Sequence, residues 1–402
     1  MNKIFGILKG DRGIWIVLIF LSLFSLLVVY SATGSLAYRQ MNGNTFYYLA
    51  KQLVMILLGF GVTLLVVNRV PVKYMSVFSP IVLIVGVMLL CVATVLRVGG
   101  GTGRTFSLGF ISFQPAEIVK IALVCFVSRL LANNQDSENP PSLNTFLWIM
   151  GISGISCLII ALSNFSTAAL LFLTIMVLMF IGRVPLKFLG VTVLSGIAAV
   201  VVIYFLATTV NIGRFNTVHG RIDRFIKGDP ESEKGITQAD YAQIAIYRGG
   251  QGGHGPGGSK VRNHMAAAYN DFIFAILVEE YGWISFVVIL AYIIFAARAG
   301  LIIRQTKRTF PAFMVAGLTL MFVFQALINM GVSTGLLPVT GQTLPWISMG
   351  GTSTLFTAFS LGCILRVSYQ NTLEESDAVQ EEDSENEPPE EDHAFAEVGA
   401  IN

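Results

Sequence analysis

The sequence contains few charged residues. Asp, Glu, Lys and Arg make up 12% of its 402 residues, whereas a soluble globular chain carries about 25%. Hydrophobic residues make up 54%, and the mean hydropathy is +0.70. The apolar residues also occur in runs long enough to cross a bilayer. This composition excludes a compact soluble protein and predicts an integral membrane protein with many spans.

Patterns typical of metal and nucleotide sites are also missing. The four cysteines all lie in apolar runs, so we predict that they pack within the membrane. The positions of His219, His254 and His264 are too scattered for a zinc site. No Gly-Lys-Ser/Thr motif opens a helix, which excludes a Walker-type loop. We predict neither a protein metal site nor a nucleic-acid partner.

Long apolar runs predict an all-α polytopic fold with about ten transmembrane helices. The runs lie at residues 14–31, 46–67, 74–96, 114–132, 144–163, 166–182, 188–208, 271–297, 310–334 and 352–369. The fifth and sixth runs almost touch at Ser163-Asn164, so nine spans are an alternative. The first run is longer than the core of a signal peptide, about 7–15 residues, and is interpreted as an uncleaved span.

Basic residues predict the orientation of the chain, because they favour the cytoplasmic side. A cytoplasmic N-terminus puts most of them on the inner side, at Lys3, Lys9, Arg12, Arg69, Lys73, Arg183, Lys187, Arg298, Arg304, Lys307 and Arg308. The short outer loops then hold only Arg39, Arg97 and Arg104. An even number of spans also places the C-terminus inside, and residues 209–270 form a long extracytoplasmic loop between spans seven and eight.

Two segments lie outside the predicted spans. The loop at residues 209–270 is rich in glycine and basic side chains, which suit an anionic ligand or lipid head group. Between Glu374 and Glu397 the chain has 12 acidic residues and no Lys or Arg, a composition typical of disorder. We therefore predict a transmembrane domain at residues 1–370 and an acidic, disordered cytoplasmic tail at 371–402. The tail either increases solubility or docks a cytosolic partner.

Ionisable residues within the spans are costly and therefore informative. They are Lys51, Glu117, Lys120, Asp271, Glu279 and Glu280. Glu117 and Lys120 are three residues apart on one helix face, where they either neutralise each other or face a cavity. Asp271 opens the eighth span. It either stabilises a helix N-terminus or is a functional carboxylate at the outer mouth.

A glycine-rich stretch occupies residues 248–259 of the outer loop, with the sequence RGGQGGHGPGGS. Glycine lets backbone amides approach a ligand and form an anion-binding nest. A flexible hinge would have the same composition, and both interpretations stay open.

Four blocks of the sequence, in order between residues 11 and 370, resemble one known family. They are VYSA at 29–32, QPAEIVK at 114–120, NDFIFA with EEYG at 270–275 and 279–282, and LPVTGQTLPWISMGGTS at 337–353. The blocks are similar to those of the SEDS proteins, the shape, elongation, division and sporulation polymerases of the bacterial cell wall. The stretch GHGPGGS at 253–259 resembles the division (FtsW-type) members more than the elongation (RodA-type) members.

Three positions depart from the pattern of that family. The PDxGT motif between spans five and six is replaced by SNFST at 163–167, so that Asn164 stands where the family has an acid. The segment before Asp271 reads MAAAYN and lacks a Pro and a Glu of the family motif. Met349 replaces a tyrosine of the last block. A charge role at position 164 is therefore in doubt.

The resemblance implies a glycosyltransferase that polymerises lipid II at the outer face of the bacterial cytoplasmic membrane. Asp271 matches the essential aspartate of the family, which implies a general base for the acceptor hydroxyl. Cations should stabilise the departing lipid pyrophosphate. We assign substrate binding to Lys51, Arg104, Glu117, Lys120, Gly253, Gly255, Ser259, Glu280, Thr340 and Ser348, with Mg²⁺ or Mn²⁺ as a candidate cofactor.

The resemblance also implies partners, namely a class B penicillin-binding protein with transpeptidase activity and other proteins of the division machinery. Two other functions are compatible with a polytopic chain that carries internal charges. It could flip lipid II across the membrane, or it could act as the elongation-type polymerase. A scaffold that recruits division proteins through its tail and loops is a third possibility.

Overall fold

The computed structural model describes residues 8–98, 106–108, 111–134, 141–209, 236–266 and 268–386. Within them the chain forms thirteen α-helices, two short strands and two 3₁₀ turns. The first helices are α1 (Arg12–Ala32), α2 (Gly34–Gln40), α3 (Thr45–Arg69), α4 (Val72–Val98), α5 (Pro115–Asn133), α6 (Leu143–Ser163) and α7 (Phe165–Ile181). They are followed by α8 (Leu186–Thr209), α9 (Gln238–Gly249), α10 (Ile273–Tyr281), α11 (Phe286–Gln305), α12 (Thr309–Ser333) and α13 (Thr352–Asn386).

Six helical segments are long and apolar enough to cross a membrane. They are Arg12–Ala32, Thr45–Arg69, Val72–Leu96, Leu143–Ser163, Ile273–Gln305 and Thr309–Ser333. A shorter apolar helix lies at Phe165–Ile181, and Leu186–Gly196 forms an apolar stretch at the start of α8. The prediction of a helical, multi-pass membrane protein is therefore confirmed. Each of the ten apolar runs falls on helical structure, while the number of helices that cross the membrane stays a prediction.

The structure differs from the sequence prediction in three places. Strands β1 (Phe106–Leu108) and β2 (Ile111–Phe113) pair antiparallel, so the described chain is not entirely helical. The eighth span is interrupted by a 3₁₀ turn at Gly282–Ser285, where Gly282 has a φ of +54°. Helix α13 continues to Asn386, so the prediction of disorder is wrong for residues 371–386. An existing helix extends without a new nucleation step, and glutamate favours helix.

Apolar side chains cover much of the outside of the bundle, and polar side chains meet inside it. Leu23, Leu57 and Ile84 are exposed, as expected for surfaces that face lipid. Inside, the Gln52 amide donates to Ser25 Oγ over 2.8 Å, and Ser25 Oγ donates to the Ile347 carbonyl over 2.7 Å. These hydrogen bonds tie α1 and α3 to the chain between α12 and α13.

Residues 337–351 connect α12 and α13 without forming a helix, although much of the segment is buried. Irregular backbone at such depth requires protein partners for its polar groups. Trp346 supplies one anchor, because its Nε1–H donates to Ser22 Oγ over 2.8 Å and to the Leu18 carbonyl over 3.1 Å. Its φ of +69° is unusual for a bulky residue. The fold thus holds a strained loop against α1.

Candidate active site

A cavity of about 990 Å³ lies between helix ends and the loop of residues 337–351. Its lining comes from the C-terminal part of α4, the start of α5, the junction of α6 and α7, the segment before α10, one face of α12 and the loop. Polar lining residues include Gln114, Glu117, Asn164, Thr167, Asn270, Asp271, Gln325, Thr340, Gln342 and Thr343.

Asp271 lies in the lining, two residues before α10 begins. The N-cap of α10 is Phe272, so Asp271 is not the capping residue of that helix. Its carbonyl accepts a hydrogen bond of 2.9 Å from Asn329 Nδ2. Its carboxylate lies beside Gly341, where an added Cβ would come within 3.6 Å of Asp271 Oδ2. The loop thus passes close to this carboxylate with a glycine whose φ is +71°.

Thr340 and Ser348, both predicted to bind substrate, have different environments. Thr340 lines the cavity, and its buried hydroxyl oxygen has no hydrogen-bond partner among the described residues. Ser348 lies behind the lining, where its hydroxyl donates to the Asn270 carbonyl over 2.7 Å and accepts from the Leu344 amide over 2.8 Å. Ser348 therefore joins the loop to the segment that carries Asp271, and Thr340 is the better placed to contact a ligand.

Glu117 and Lys120 form an ion pair at the edge of the cavity. Lys120 Nζ lies 2.9 Å from Glu117 Oε1, and Lys120 is only 2% exposed. Glu117 contributes to the lining, whereas Lys120 lies behind it. The two side chains therefore neutralise each other, and Glu117 also faces the cavity, so both interpretations from the sequence apply. Among the described lining residues, the charged ones are two carboxylates, those of Glu117 and Asp271.

Asn164, which replaces the acid of the family motif, is the N-cap of α7. Its Oδ1 accepts from the Thr167 amide over 3.3 Å, and the residue lines the cavity. An aspartate could cap the helix in the same way, so the amide changes the charge of the wall without removing the cap.

Three amide side chains of the site were missed by the sequence reasoning. Gln325 and Gln342 line the cavity, and Asn329 lies directly behind it. A signal was present in the sequence, since Gln325, Asn329 and Ser333 repeat every four residues along the apolar helix α12. That spacing places the three polar side chains on one helix face.

The glycine-rich stretch lies away from the cavity and packs on the end of α10. The His254 and Gly255 amides donate to the Glu279 and Glu280 carbonyls over 3.0 and 2.9 Å. Gly253 has a φ of +68°, and an added Cβ there would lie 2.3 Å from the Glu280 carbonyl oxygen. The backbone amides of this stretch therefore bind carbonyl groups and the Glu280 carboxylate of the protein itself. Substrate contacts by Gly253 and Gly255 stay a prediction.

Glu280 and Ser259 also lie outside the cavity lining. They belong to a group, here called the glutamate cluster, whose two carboxylates are buried. It consists of Ser31, Arg248, Ser259, Arg262, Glu279 and Glu280. The Ser31 hydroxyl donates to Glu280, and the Ser259 hydroxyl donates to Glu279. Arg248 and Arg262 each approach one of these carboxylates to 3.8 Å. The cluster links residues 248–262 to α1 and α10, which is a structural role for the acidic pair.

Besides Lys120, two further basic residues assigned to substrate binding are not among the described lining residues. Lys51 is exposed on α3 and does not line the cavity. Arg104 lies outside the described residues. Their contacts with a substrate therefore stay predictions.

Comparison with known sequences places this architecture in a family. The sequence profile of the FtsW/RodA/SpoVE family, described as cell cycle proteins, matches residues 11–373. A relative from Coxiella burnetii, named a probable peptidoglycan glycosyltransferase FtsW, is 32% identical over 368 residues, covering 89% of this chain and 96% of its own length. A relative with the same name from Halorhodospira halophila is 32% identical and covers 90% of each chain.

Solved structures share the fold. A chain from a peptidoglycan synthase complex, described as coordinating polymerization and crosslinking, superposes with a TM-score of 0.68 at 20% identity, covering 90% of this chain and 98% of that one. The rod shape determining protein RodA of Thermus thermophilus superposes with a TM-score of 0.62 at 20% identity, covering 90% and 97%. Together with the family profile and the relatives, the sequence blocks around the cavity show that this chain belongs to the FtsW/RodA/SpoVE, or SEDS, family.

Proposed function

We propose that this protein polymerises lipid II into glycan strands, with Asp271 as the general base. The observation that carries the proposal is the position of Asp271. The carboxylate marked by the sequence resemblance lies in the wall of a cavity of about 990 Å³, beside the loop that contains the most specific sequence block. Relatives that match most of the chain are named probable peptidoglycan glycosyltransferases.

The proposed reaction transfers a glycosyl group with inversion. An acceptor sugar hydroxyl attacks the anomeric carbon of the donor and forms a new C–O bond. The bond from that carbon to the pyrophosphate oxygen breaks, and undecaprenyl pyrophosphate leaves with the electron pair. The hydroxyl proton passes to Asp271, a step that typically contributes about 10²–10⁴-fold to the rate. The amide and hydroxyl groups of the wall suit a sugar, which offers both donors and acceptors.

Cations should stabilise the developing charge on the pyrophosphate. Lys120 is the described candidate nearest the cavity, through its contact with Glu117. Arg104 and Lys51 are the other candidates. Within the described residues there is no group of three or more His, Cys, Asp or Glu placed to hold a metal. Mg²⁺ or Mn²⁺ would therefore be bound largely by the substrate phosphates and water, beside the Glu117 and Asp271 carboxylates.

We place the cavity at the outer face of the cytoplasmic membrane. Its lining comes from the helix ends opposite a group of basic residues, which favour the cytoplasm. This group consists of Arg69, Lys73, Arg298, Arg304, Lys307 and Arg308. Ten spans with both termini in the cytoplasm satisfy this arrangement. The lipid tail of the substrate would stay in the bilayer while the sugars enter the cavity.

We assign the activity to septal synthesis during division. The relatives named FtsW and the glycine-rich stretch of the outer loop support this role over the elongation role. A class B penicillin-binding protein is the proposed partner, because a structural neighbour comes from a complex that couples polymerization and crosslinking. Depletion should give filaments if the role is division and round cells if it is elongation.

Purified full-length protein with labelled lipid II tests the proposal. Wild type should produce glycan chains and Asp271→Asn should not, since the amide cannot accept the proton. Asp240→Asn is the matched control, because it removes a carboxylate from the capping box of α9, away from the cavity lining. Equal polymerisation by wild type and Asp271→Asn would overturn the base assignment. Lipid II flipping in liposomes without polymerisation would support a transporter instead.

A further inference from the structure

Asn329 joins two parts of the cavity wall that are distant in sequence. It lies on α12 and is fully buried. Its Nδ2 donates to the Asp271 carbonyl over 2.9 Å and to the Gln342 carbonyl over 2.7 Å. Nδ2 rather than Oδ1 must face these two carbonyl groups, because Oδ1 is itself an acceptor and would repel the carbonyl oxygens. One side chain therefore sets the distance between the backbone of Asp271 and the loop of residues 337–351.

The hydrogen bonds continue from Asn329 to the opposite wall. Gln342 Nε2 donates to Thr167 Oγ1 over 2.9 Å, and the Thr167 amide donates to Asn164 Oδ1 over 3.3 Å. One turn away on α12, Gln325 Nε2 donates to the carbonyl and hydroxyl of Thr343, each over 3.1 Å. The loop is thus held on both sides by amide side chains rather than by regular secondary structure.

This arrangement bears on the Asp271 carboxylate through Gly341, which precedes Gln342 and passes close to that carboxylate. A shift of the loop or of the Asp271 backbone would change the distance between the carboxylate and a bound acceptor. Misplacement of a reacting group by 1 Å can reduce a rate by about 100-fold.

We propose that Asn329 is a positioning residue, which holds the Asp271 segment and the loop of residues 337–351 in register so that the carboxylate faces the substrate. Asn329 acts through these backbone groups and not by touching the substrate. The catalytic part of this inference rests on the proposed function, whereas the geometric part does not.

The main variant is Asn329→Leu, which removes both donors and keeps a side chain of similar shape that is compatible with a membrane helix. We expect the rate at saturating lipid II to fall by about 10- to 100-fold, while KM changes by less than about threefold. Ser333→Ala is the matched control. It is buried one turn further along α12, and its hydroxyl donates to the backbone carbonyl of Asn329 in the same helix. Its rate should stay within about twofold of wild type.

A double variant separates positioning from general support of the fold. In a Gly341→Ala background, which disturbs the loop beside the Asp271 carboxylate, adding Asn329→Leu should reduce the rate by a smaller factor than it does in wild type. Both changes then disturb the same arrangement of the loop and the Asp271 segment. If the two substitutions reduced the rate by independent factors that multiply, the positioning role would be overturned. It would also be overturned if a rise in KM alone accounted for the lower activity of Asn329→Leu.

Hydrogen exchange gives a readout that does not depend on activity. Peptides that cover residues 268–275 and 338–345 should exchange faster in Asn329→Leu than in wild type or Ser333→Ala, while peptides of α11 stay unchanged. Unchanged exchange in both segments would overturn the proposal even if Asp271→Asn is inactive. Faster exchange combined with a fully active Asp271→Asn variant would overturn the base assignment and leave the geometric role of Asn329 standing.

Discussion

The hydroxyl of Ser31 donates to the carboxylate of Glu280, although 249 residues separate them in the sequence. Ser31 lies near the end of α1 and Glu280 lies near the end of α10. Arg262 completes the contact, since its Nη1 donates to the Ser31 hydroxyl over 2.7 Å and to the Ser31 carbonyl over 2.9 Å. Residues 259–262 are thereby linked to the first transmembrane helix through one buried carboxylate.

Removal of this carboxylate should destabilise the protein. Glu280→Ala leaves Arg262 without its buried counter-charge and Ser31 without an acceptor, and we expect a loss of about 3–5 kcal/mol. Glu280→Gln should cost less, because its carbonyl oxygen can still accept from Ser31. Thermal unfolding in detergent checks both variants. Glu374→Gln is the control. Its ion pair with the exposed Arg308 spans 3.6 Å, and its loss should cost no more than about 1 kcal/mol.

Gly253 distinguishes a structural from a ligand-binding role for the glycine-rich stretch. Gly253→Ala places a Cβ 2.3 Å from the Glu280 carbonyl oxygen at a φ of +68°, so the outer loop should detach and be cleaved faster in limited proteolysis. Gly252→Ala should be tolerated, because a Cβ there meets nothing within 4 Å. If Gly253→Ala raised the KM for lipid II without changing proteolysis or thermal unfolding, direct ligand contact would be the better explanation.

Variants of the Glu117–Lys120 ion pair can distinguish its contribution to stability from its contribution to catalysis. Lys120→Met leaves the Glu117 carboxylate without its partner, and we expect a loss of about 3 kcal/mol or more. The double variant Glu117→Gln with Lys120→Met should restore most of the stability, because neither charge is then left unpaired. If Lys120 also stabilises the pyrophosphate, polymerisation by the double variant should stay at least about tenfold low. Wild-type activity in a stable double variant would exclude that role.

Trp346 should contribute through its hydrogen bonds as well as its volume. Trp346→Phe keeps an aromatic ring and loses the donor to Ser22 and Leu18, which should cost about 1 kcal/mol. Trp346→Ala adds a cavity and should cost about 3–5 kcal/mol. Trp283→Phe is the control, since Trp283 is 64% exposed. Denaturation in detergent measures all three, and equal effects for Trp346→Phe and Trp283→Phe would contradict the anchoring role.

Much of the fold could be predicted from local sequence. Each of the ten apolar runs lies on helical structure, because hydropathy and helix formation depend on neighbouring residues. The orientation that the basic residues predict for these helices stays a prediction. Asp271, Glu117 and Thr340 were identified because an ionisable residue within a span or a specific sequence block stands out without knowledge of its contacts.

The roles of the other site residues depended on contacts between distant segments. The sequence predicted a substrate contact for Glu280, and the structure places Ser31 and Arg262 beside its carboxylate. The composition of the stretch that contains Gly253 fitted an anion site or a hinge, and its amides bind carbonyl groups and a carboxylate at the end of α10. Asn329 was not predicted as a site residue, because a single amide in an apolar helix does not indicate its contacts.

Sequence by itself determined which segments are apolar and helical and which carboxylate is the candidate base. Only the tertiary structure decided which polar groups face the cavity and which serve other parts of the protein. The physical reason is that a polar group within a membrane protein must find a partner. The identity of that partner depends on how the helices pack rather than on the neighbouring sequence.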